Sequence, residues 1–266
     1  MTYVSLSYWD LLLAAALLIA NGAISWAFRL GLEKSIAIAA ARMVVQLALI
    51  GVVLKFIFSQ ASPLWTLIMA LVMVVAAAVE IVSRLNGRMP ASRLFRLSSS
   101  TLLFVGTFVT VFGVGVVIGP DPWYAPRFML PILGMVLGNT MTAITLVLDS
   151  LSGTAQRERA AIEARLALGA RRFEALSGPL RSALRTGMTP MLNAMATTGI
   201  VALPGMMTGQ IIAGADPVGA AKYQVLIMFL IAGATALGSL LAAAGGILLL
   251  TDERERLRLP DPTDKK

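Results

Sequence analysis

The sequence predicts an all-α, polytopic membrane protein with about seven transmembrane helices, its N-terminus outside and its C-terminus cytoplasmic. Three observations carry that prediction. First, hydrophobic residues make up 58 % of the 266 and charged residues only 14 %, at a mean hydropathy of +0.82. A soluble domain is typically about 45–50 % apolar and about 25 % charged, so there is too little charge here to clothe a water-facing surface. Second, seven apolar runs reach the roughly 20 residues that a helix needs to cross a hydrocarbon core about 30 Å thick. Third, 18 of the 22 Lys and Arg residues fall on alternate connections between those runs, an asymmetry that marks the cytoplasmic side of a membrane protein.

The runs cover approximately 9–28, 36–58, 63–82, 97–119, 129–148, 188–212 and 225–250. Leu, Ala, Val and Ile dominate them, and none alternates apolar with polar residues as a barrel strand would. Each is therefore read as a helix, because lipid offers no partner to unpaired backbone groups. The basic connections are 29–34, 83–96, 149–187 and the tail after Leu250; the opposite side holds only Lys55, Arg127 and Lys222, and Arg42 lies inside a run. No basic residue precedes Arg29, so the first run is expected to remain in the mature chain rather than act as a cleaved signal. This organisation gives one membrane domain over 1–250, with a cytoplasmic segment at 151–187, and a tail at 251–266. The tail balances acids against bases and contains Pro260 and Pro262; it reads as a short helix end followed by disorder.

The chain contains neither Cys nor His. Disulfides, thiolate chemistry, Ser/His/Asp and Cys/His nucleophile–base pairs, and every imidazole or thiolate metal site are thereby excluded. A membrane-embedded enzyme finds no support, and the excess of basic residues is explained by topology without nucleic acid. No GxxxxGK[ST] phosphate loop occurs, so the chain is expected to bind no cofactor and no ATP by that route. Gly113, Gly115 and Gly119 lie within a run at the wrong spacing for a phosphate loop and read as helix packing. Glu80 and Asp149 sit near the cytoplasmic edge, leaving no carboxylate at mid-membrane, where an ion-coupled carrier would need one.

Four features invite a functional reading. The segment 155–185 is rich in Ala, Leu, Glu and Arg, and Gly169 suits a helix C-terminus. It predicts a short helix, a Gly-Ala turn and a second short helix, serving either as a docking element for a cytoplasmic subunit or as a solvated basic loop. In the sixth run, Asn193 precedes Pro204 and Gly205, which break a helix. The break either frees carbonyls for a substrate site, with Met206 and Met207 adding thioethers, or is a packing kink with a small-residue seam at Gly205, Gly209 and Ala213. In the fifth run Gly134 and Gly138 form a GxxxG pair. Asn139 beside them needs a partner in lipid and so faces protein or a water-filled path. Arg42 and Gln46 are one turn apart in the second run. Arg42 is read as pairing with Glu80, for which Arg84 competes, or as part of a substrate path. The path residues expected from the sequence are therefore Arg42, Gln46, Glu80, Asn139, Asn193, Pro204, Gly205, Met206 and Met207.

The runs 42–58 (RMVVQLALIGVVLKFIF), 131–141 (PILGMVLGNTM), 165–170 (RLALGA) and 201–224 (VALPGMMTGQIIAGADPVGAAKYQ) together resemble the FetB-type permeases. These are bacterial ABC-type membrane subunits implicated in iron export, with plant relatives linked to aluminium tolerance. The resemblance covers about 30–250. It implies a multi-pass permease of the inner (plasma) membrane that exports iron or a related metal species. ATP would be bound and hydrolysed by a separate cytoplasmic ABC subunit, and two permease copies would associate. Glu163-Ala164 followed by Gly169-Ala170 resembles part of the coupling-loop pattern of ABC permeases, which assigns those four residues to ATPase contact. A secondary transporter acting without an ATPase is the alternative. Iron would meet only carboxylates, amides, hydroxyls, carbonyls and thioethers on such a path.

Overall fold

The computed structural model describes residues 7–60, 62–85 and 87–259. Helices make up nearly all of them, and among the described residues β-pairing is limited to two isolated bridges, Thr198–Ala202 and Thr251–Leu257. The chain groups into two compact units, Met1–Ala61 and Ser62–Lys266.

The first unit is a pair of helices, α1 (Tyr8–Ala27) and α2 (Glu33–Gln60). A reciprocal cap starts α1: the Ser7 hydroxyl accepts from Trp9 N–H at 3.1 Å, and Asp10 accepts from Ser7 N–H at 2.8 Å. Those bonds satisfy end donors that the helix leaves open. The turn between the helices is held by buried Ser25, whose hydroxyl donates to Glu33 at 3.0 Å and accepts from Leu32 N–H at 3.0 Å.

The second unit contains α3 (Pro63–Arg84), α4 (Ala91–Val111) continued by a π-helical stretch (Phe112–Ile118), α5 (Pro126–Arg157), α6 (Arg159–Ala167), α7 (Arg172–Ala175), α8 (Ser177–Thr197), α9 (Gly205–Ile212) and α10 (Pro217–Leu250). Gly119, at φ +61°, closes the π-helical stretch in a left-handed conformation open to glycine. At 32 and 34 residues, α5 and α10 are about 48 and 51 Å long. Both are longer than the roughly 30 Å hydrocarbon thickness.

Close approaches fix the direction of each pass. Gly238 of α10 faces Thr140 of α5, and Gly246 faces Leu148 and Leu151, so α5 and α10 run parallel. Gly187 of α8 lies on Val147 and the Ala143 carbonyl, while Ser239 Oγ meets Met188 Sδ at 4.0 Å. Ser150 lies 3.5 Å from Thr186, so α8 runs opposite to α5. Leu97 meets Gly245 and Leu230 meets Gly113, which sets α4 antiparallel to α10. α4, α5, α8 and α10 thus reverse direction from each to the next.

Six helices of the described residues are long and apolar enough to cross a membrane. The sixth predicted run, 188–212, is the exception and needs correction. Its helix begins at Ser177, ends at Thr197, and is followed by a turn and then α9. The predicted break exists, but it opens at Thr198 rather than at Pro204. Thr197 O receives the N–H groups of Val201 and Ala202, and Gly199 takes φ +91°. Pro204 instead starts α9, with its carbonyl accepting from Thr208 N–H at 3.0 Å; its fixed φ suits a helix start. α8 buries only Pro179, Ala183, Gly187 and Met191, at four-residue spacing, and its remaining surface mixes Arg, Ser, Thr and Asn with exposed Leu192 and Met195.

The tail also differs from expectation. Instead of a helix end, 251–259 folds back as a tight turn. Asp252 accepts from the N–H groups of Arg254 and Arg256 at 2.9 and 2.8 Å, and Arg258 N–H reaches the Leu250 carbonyl at 2.7 Å. Leu257 and Leu259 pack on the core formed by α3, α5, α8 and α10. Pro260 and Pro262 lie outside the described residues.

An added Cβ at Gly187 or Gly238 would collide with α5, whereas nothing lies within 4 Å of one at Gly233. Gly187→Ala and Gly238→Ala should each lower stability by about 1–3 kcal/mol, the usual range for overpacking. Gly233→Ala should be neutral or slightly stabilising. Thermal unfolding of the detergent-solubilised chain followed by size-exclusion chromatography measures the difference.

Candidate functional site

The outward faces of α5 and α8 form one polar surface. On α5 the exposed or half-buried residues include Gly138, Asn139, Thr142, Thr145, Asp149 and Ser150; on α8 they include Ser182, Arg185, Thr186, Thr189, Asn193 and Thr197. These positions recur every three or four residues, so each set lines one side of its helix. The antiparallel register through Ser150 and Thr186 brings Asn193 level with the Asn139–Thr142 turn. Asn139 and Asn193, singled out separately in the sequence, thus belong to one surface.

Most of these side chains bond back to their own helix. Asn139 Nδ2 donates to the Met135 carbonyl at 2.8 Å, and the hydroxyls of Thr142, Thr145, Thr186, Thr189 and Thr197 donate to the carbonyls four residues earlier at 2.8–3.0 Å. The threonine donors are occupied while their oxygen lone pairs remain outward, and Asn139 keeps a second N–H. Away from Arg185, between Asn139–Thr145 and Thr189–Thr197, the face therefore presents mainly acceptors, which suit hard cations or the donors of a polar solute. Such a surface is unfavourable against hydrocarbon.

Its neighbours reinforce it. Met206 packs beside the apolar cluster of Met191, Ile227 and Leu230, and Met207 is half-buried on the same short helix. Pro204 and Gly205 set the start of that helix, and no atom lies within 4 Å of a Cβ at Gly205 or Gly209. The small-residue seam is therefore not a packing contact among the described residues. The GxxxG pair is half used: Met73 Cε would sit 3.2 Å from a Cβ at Gly134, and nothing approaches Gly138.

Sequence reasoning missed three side chains in this region. Gln210 Oε1, Tyr223 OH and Gln224 Oε1 are buried with no hydrogen-bond partner among the described residues. An unpaired buried polar group is unfavourable by about 1–3 kcal/mol, so three at the α9–α10 end point to polar company there. All three lie inside the long 201–224 motif. Only their burial distinguishes them.

Glu80 pairs with Arg84, 3.1 Å away. Arg42 and Gln46 are exposed on α2, in the other unit. Asp149 is held by Arg88 at 2.8 Å. Among the described residues no three acidic side chains converge in a way that would hold a metal ion.

The opposite feature is the basic end. α6 and α7 flank Gly169, at φ +92°, and form the expected helix–turn–helix. Ile162 anchors α6 in the core, while Glu163, Ala164 and Gly169 are exposed and Ala170 is half-buried. Glu163 pairs with Arg159 at 2.8 Å. The C-terminal turn clasps this element: Glu255 accepts from Arg172 N–H at 3.0 Å and from its Nε at 3.4 Å, and Thr251 Oγ1 lies 3.5 Å from Arg172 Nη1. Arg88, Arg93, Arg172 and the tail arginines share this one end.

Membrane-length helices in alternating directions, an acceptor-lined face and an exposed helical element at one basic end define a multi-pass membrane protein of the transport class. The sequence pattern of UPF0014, described as an uncharacterised protein family, matches residues 8–248, and the chain belongs to that family. It is 37 % identical over 198 residues to the UPF0014 membrane protein slr1647 of Synechocystis, covering 73 % of this chain and 74 % of that one. It is 33 % identical over 233 residues, 88 % of each chain, to the Escherichia coli protein named probable iron export permease protein FetB. The Arabidopsis thaliana protein named ALUMINUM SENSITIVE 3 is 33 % identical over 229 residues, 85 % of this chain and 82 % of that one. The resemblance to FetB-type permeases drawn from the motifs is thereby confirmed. No solved structure matches the chain.

The Asp252 carboxyl titrates below its ordinary value, chiefly because Arg256 N–H bonds it, with partial burial opposing and the Arg256 guanidinium and Arg254 N–H adding to the shift. A depressed carboxylate stabilises the folded turn above its unfolded pKa, about 3.9, and that contribution disappears as pH falls through the lower folded value. Hydrogen-exchange protection of 252–258, corrected for intrinsic rates, should therefore be steady from neutral pH to about 4 and fall below it. In Asp252→Asn this acid-dependent step should be absent and protection weaker at neutral pH.

Proposed function

We propose that this chain is the membrane-spanning permease subunit of an ATP-driven ABC transporter, exporting iron or a related metal species, with ATP hydrolysed by a separate cytoplasmic subunit. The observation that carries the proposal is the acceptor-lined face of α5 and α8, open along membrane-length helices and rooted at the end that presents α6 and α7. A row of hydroxyl and amide oxygens gives a hard cation successive weak stations, which favours passage and release over tight capture. The absence of His and Cys from the sequence agrees with a path that never holds its cargo firmly.

The orientation follows from charge. The basic end faces the cytoplasm, with the C-terminus inside and the N-terminus outside. There α6, the Gly169 turn and α7 meet the ATPase, with Glu163, Ala164, Gly169 and Ala170 at the contact. Two permease copies bring their polar faces together and keep them from lipid. ATP binding on the partner moves α6 and α7, and the strap through Arg172 and Glu255 carries that motion to α10. The spans shift between two packings that open to opposite sides. The arginine pairing of Glu80 and Asp149 at the basic end favours this reading over an ion-coupled carrier, which needs a titratable carboxylate deeper in the membrane.

Two measurements check this. In vesicles containing the chain and its ATPase, Asn139→Leu and Asn193→Leu should each reduce ATP-driven iron flux about ten-fold or more, the factor expected from losing a contact of about 1.4 kcal/mol on the path. Insertion should be unchanged, and Leu103→Ala on the exposed apolar side of α4 should transport normally. In co-purification, the ATPase should be retained by the intact chain and lost on Glu163→Arg with Gly169→Pro. Full flux in both asparagine variants would remove the assigned path; retention of the ATPase by the double variant would remove the assigned contact.

A further inference from the structure

The basic end contains a cavity of about 680 Å³ between the start of α4, α7 and the C-terminal turn, lined by Arg93, Arg172, Arg254, Arg256 and Arg258 together with Asp252, Glu253, Thr251 and Leu248. That volume is within the range of small-molecule sites, about 300–1,000 Å³. Its walls bear five guanidinium groups against two carboxylates. Arg172 is neutralised by Glu255, and Asp252 is shared by Arg256 at 2.8 Å and Arg258 at 3.9 Å. Among the described residues, Arg93 and Arg254 have no acidic partner. An anion is the missing complement, and paired guanidiniums favour a phosphate ester, whose oxygens accept two N–H bonds at once.

The position of the cavity selects the phosphate. Leu248 lies on its rim, 52 % exposed, and on the same side of α10 follow the exposed Leu241 and Leu237. Spacings of seven and four residues keep the three on one face. From Leu248 to Leu237 the ladder rises about 16 Å, close to half of the roughly 30 Å hydrocarbon thickness. A headgroup site at the interface thus continues into an apolar track one acyl chain long. A free phosphate would use the arginines and leave the leucines without purpose.

We propose that this cavity binds the phosphate headgroup of an anionic phospholipid of the adjoining leaflet, with one acyl chain along Leu248, Leu241 and Leu237. The lipid joins Arg93 of α4 to Arg254 of the tail, and so reinforces the turn that clasps α7. This site is separate from the polar face of α5 and α8 and does not depend on what that face transports.

Native mass spectrometry of the full chain released from nanodiscs tests the proposal. Discs of phosphatidylcholine alone are compared with discs containing phosphatidylglycerol as a minor component. The expected result is selective retention of phosphatidylglycerol. Arg93→Gln with Arg254→Gln should weaken it about 30-fold, since each arginine near an anionic lipid contributes roughly a five-fold factor. Arg93→Lys with Arg254→Lys should retain most of the binding, and Arg96→Gln with Arg181→Gln, which removes the same charge outside the cavity, should retain nearly all. Thermal unfolding in phosphatidylcholine discs, equal for the chain and the Gln pair, establishes that the loss is not misfolding. Equal loss in the Arg96/Arg181 pair would reduce the effect to general surface charge and overturn the site. Displacement by millimolar glycerol 3-phosphate as effectively as by lipid would make the ligand a soluble phosphate and overturn the lipid assignment. Expulsion of the lipid on adding the cytoplasmic ATPase would make the cavity part of a protein interface and overturn it equally.

Discussion

The second unit depends on helices approaching closely enough for backbone to meet side chain. Between apolar spans in lipid no hydrophobic force separates partner from solvent, so association rests on dispersion contact and on the few polar bonds that lipid cannot replace. Glycine permits that contact. Gly187 lets α8 settle onto the Ala143 carbonyl and Val147 of α5, and Gly238 and Gly246 do the same for α10 against Thr140, Leu148 and Leu151. A methyl group at these places would lift one helix from the other and forfeit dispersion energy along the whole seam.

The polar face follows from that packing. Once Pro179, Ala183, Gly187 and Met191 are committed to the inner side of α8, helical geometry leaves Arg185, Thr186, Thr189 and Asn193 no direction but outward. On α5 the buried Val136, Thr140, Ala143 and Val147 likewise turn Asn139 and Thr142 away from the core. Bonds from Asn139, Thr142, Thr186 and Thr189 to carbonyls of their own helices leave oxygen acceptors facing outward. The interior contacts that stabilise the bundle and the surface that serves the proposed path are two sides of the same helices.

At the basic end, short elements without much core of their own are secured by charge and by a few apolar anchors. Ile162 and Leu176 are buried, and Arg172 is gripped through both backbone and guanidinium by Glu255. The C-terminal turn is therefore a structural part of the segment assigned to the ATPase. Through Glu255 that turn joins the segment to α10, the longest helix of the unit.

Much of this was legible in the residues. Hydropathy marked a run for each pass, including 188–212, whose helix starts earlier, at Ser177, and ends at Thr197, and the alternation of arginine-rich connections foretold that Arg93 and Arg172 would share one end. Gly169 marked its turn because a left-handed residue there needs a missing side chain. The clasp of Glu255 on Arg172, 83 residues apart, was not legible, since acids alternating with bases in a tail look the same whether solvated or bound. Nor was the break at Thr198, where capture of loop N–H groups by the Thr197 carbonyl outweighs the punctuation that Pro204 supplies. Composition and periodicity report which surfaces must leave water, a property that each residue brings with it. Which surfaces then meet depends on register between distant segments, and that is set only when close packing selects one fit among many.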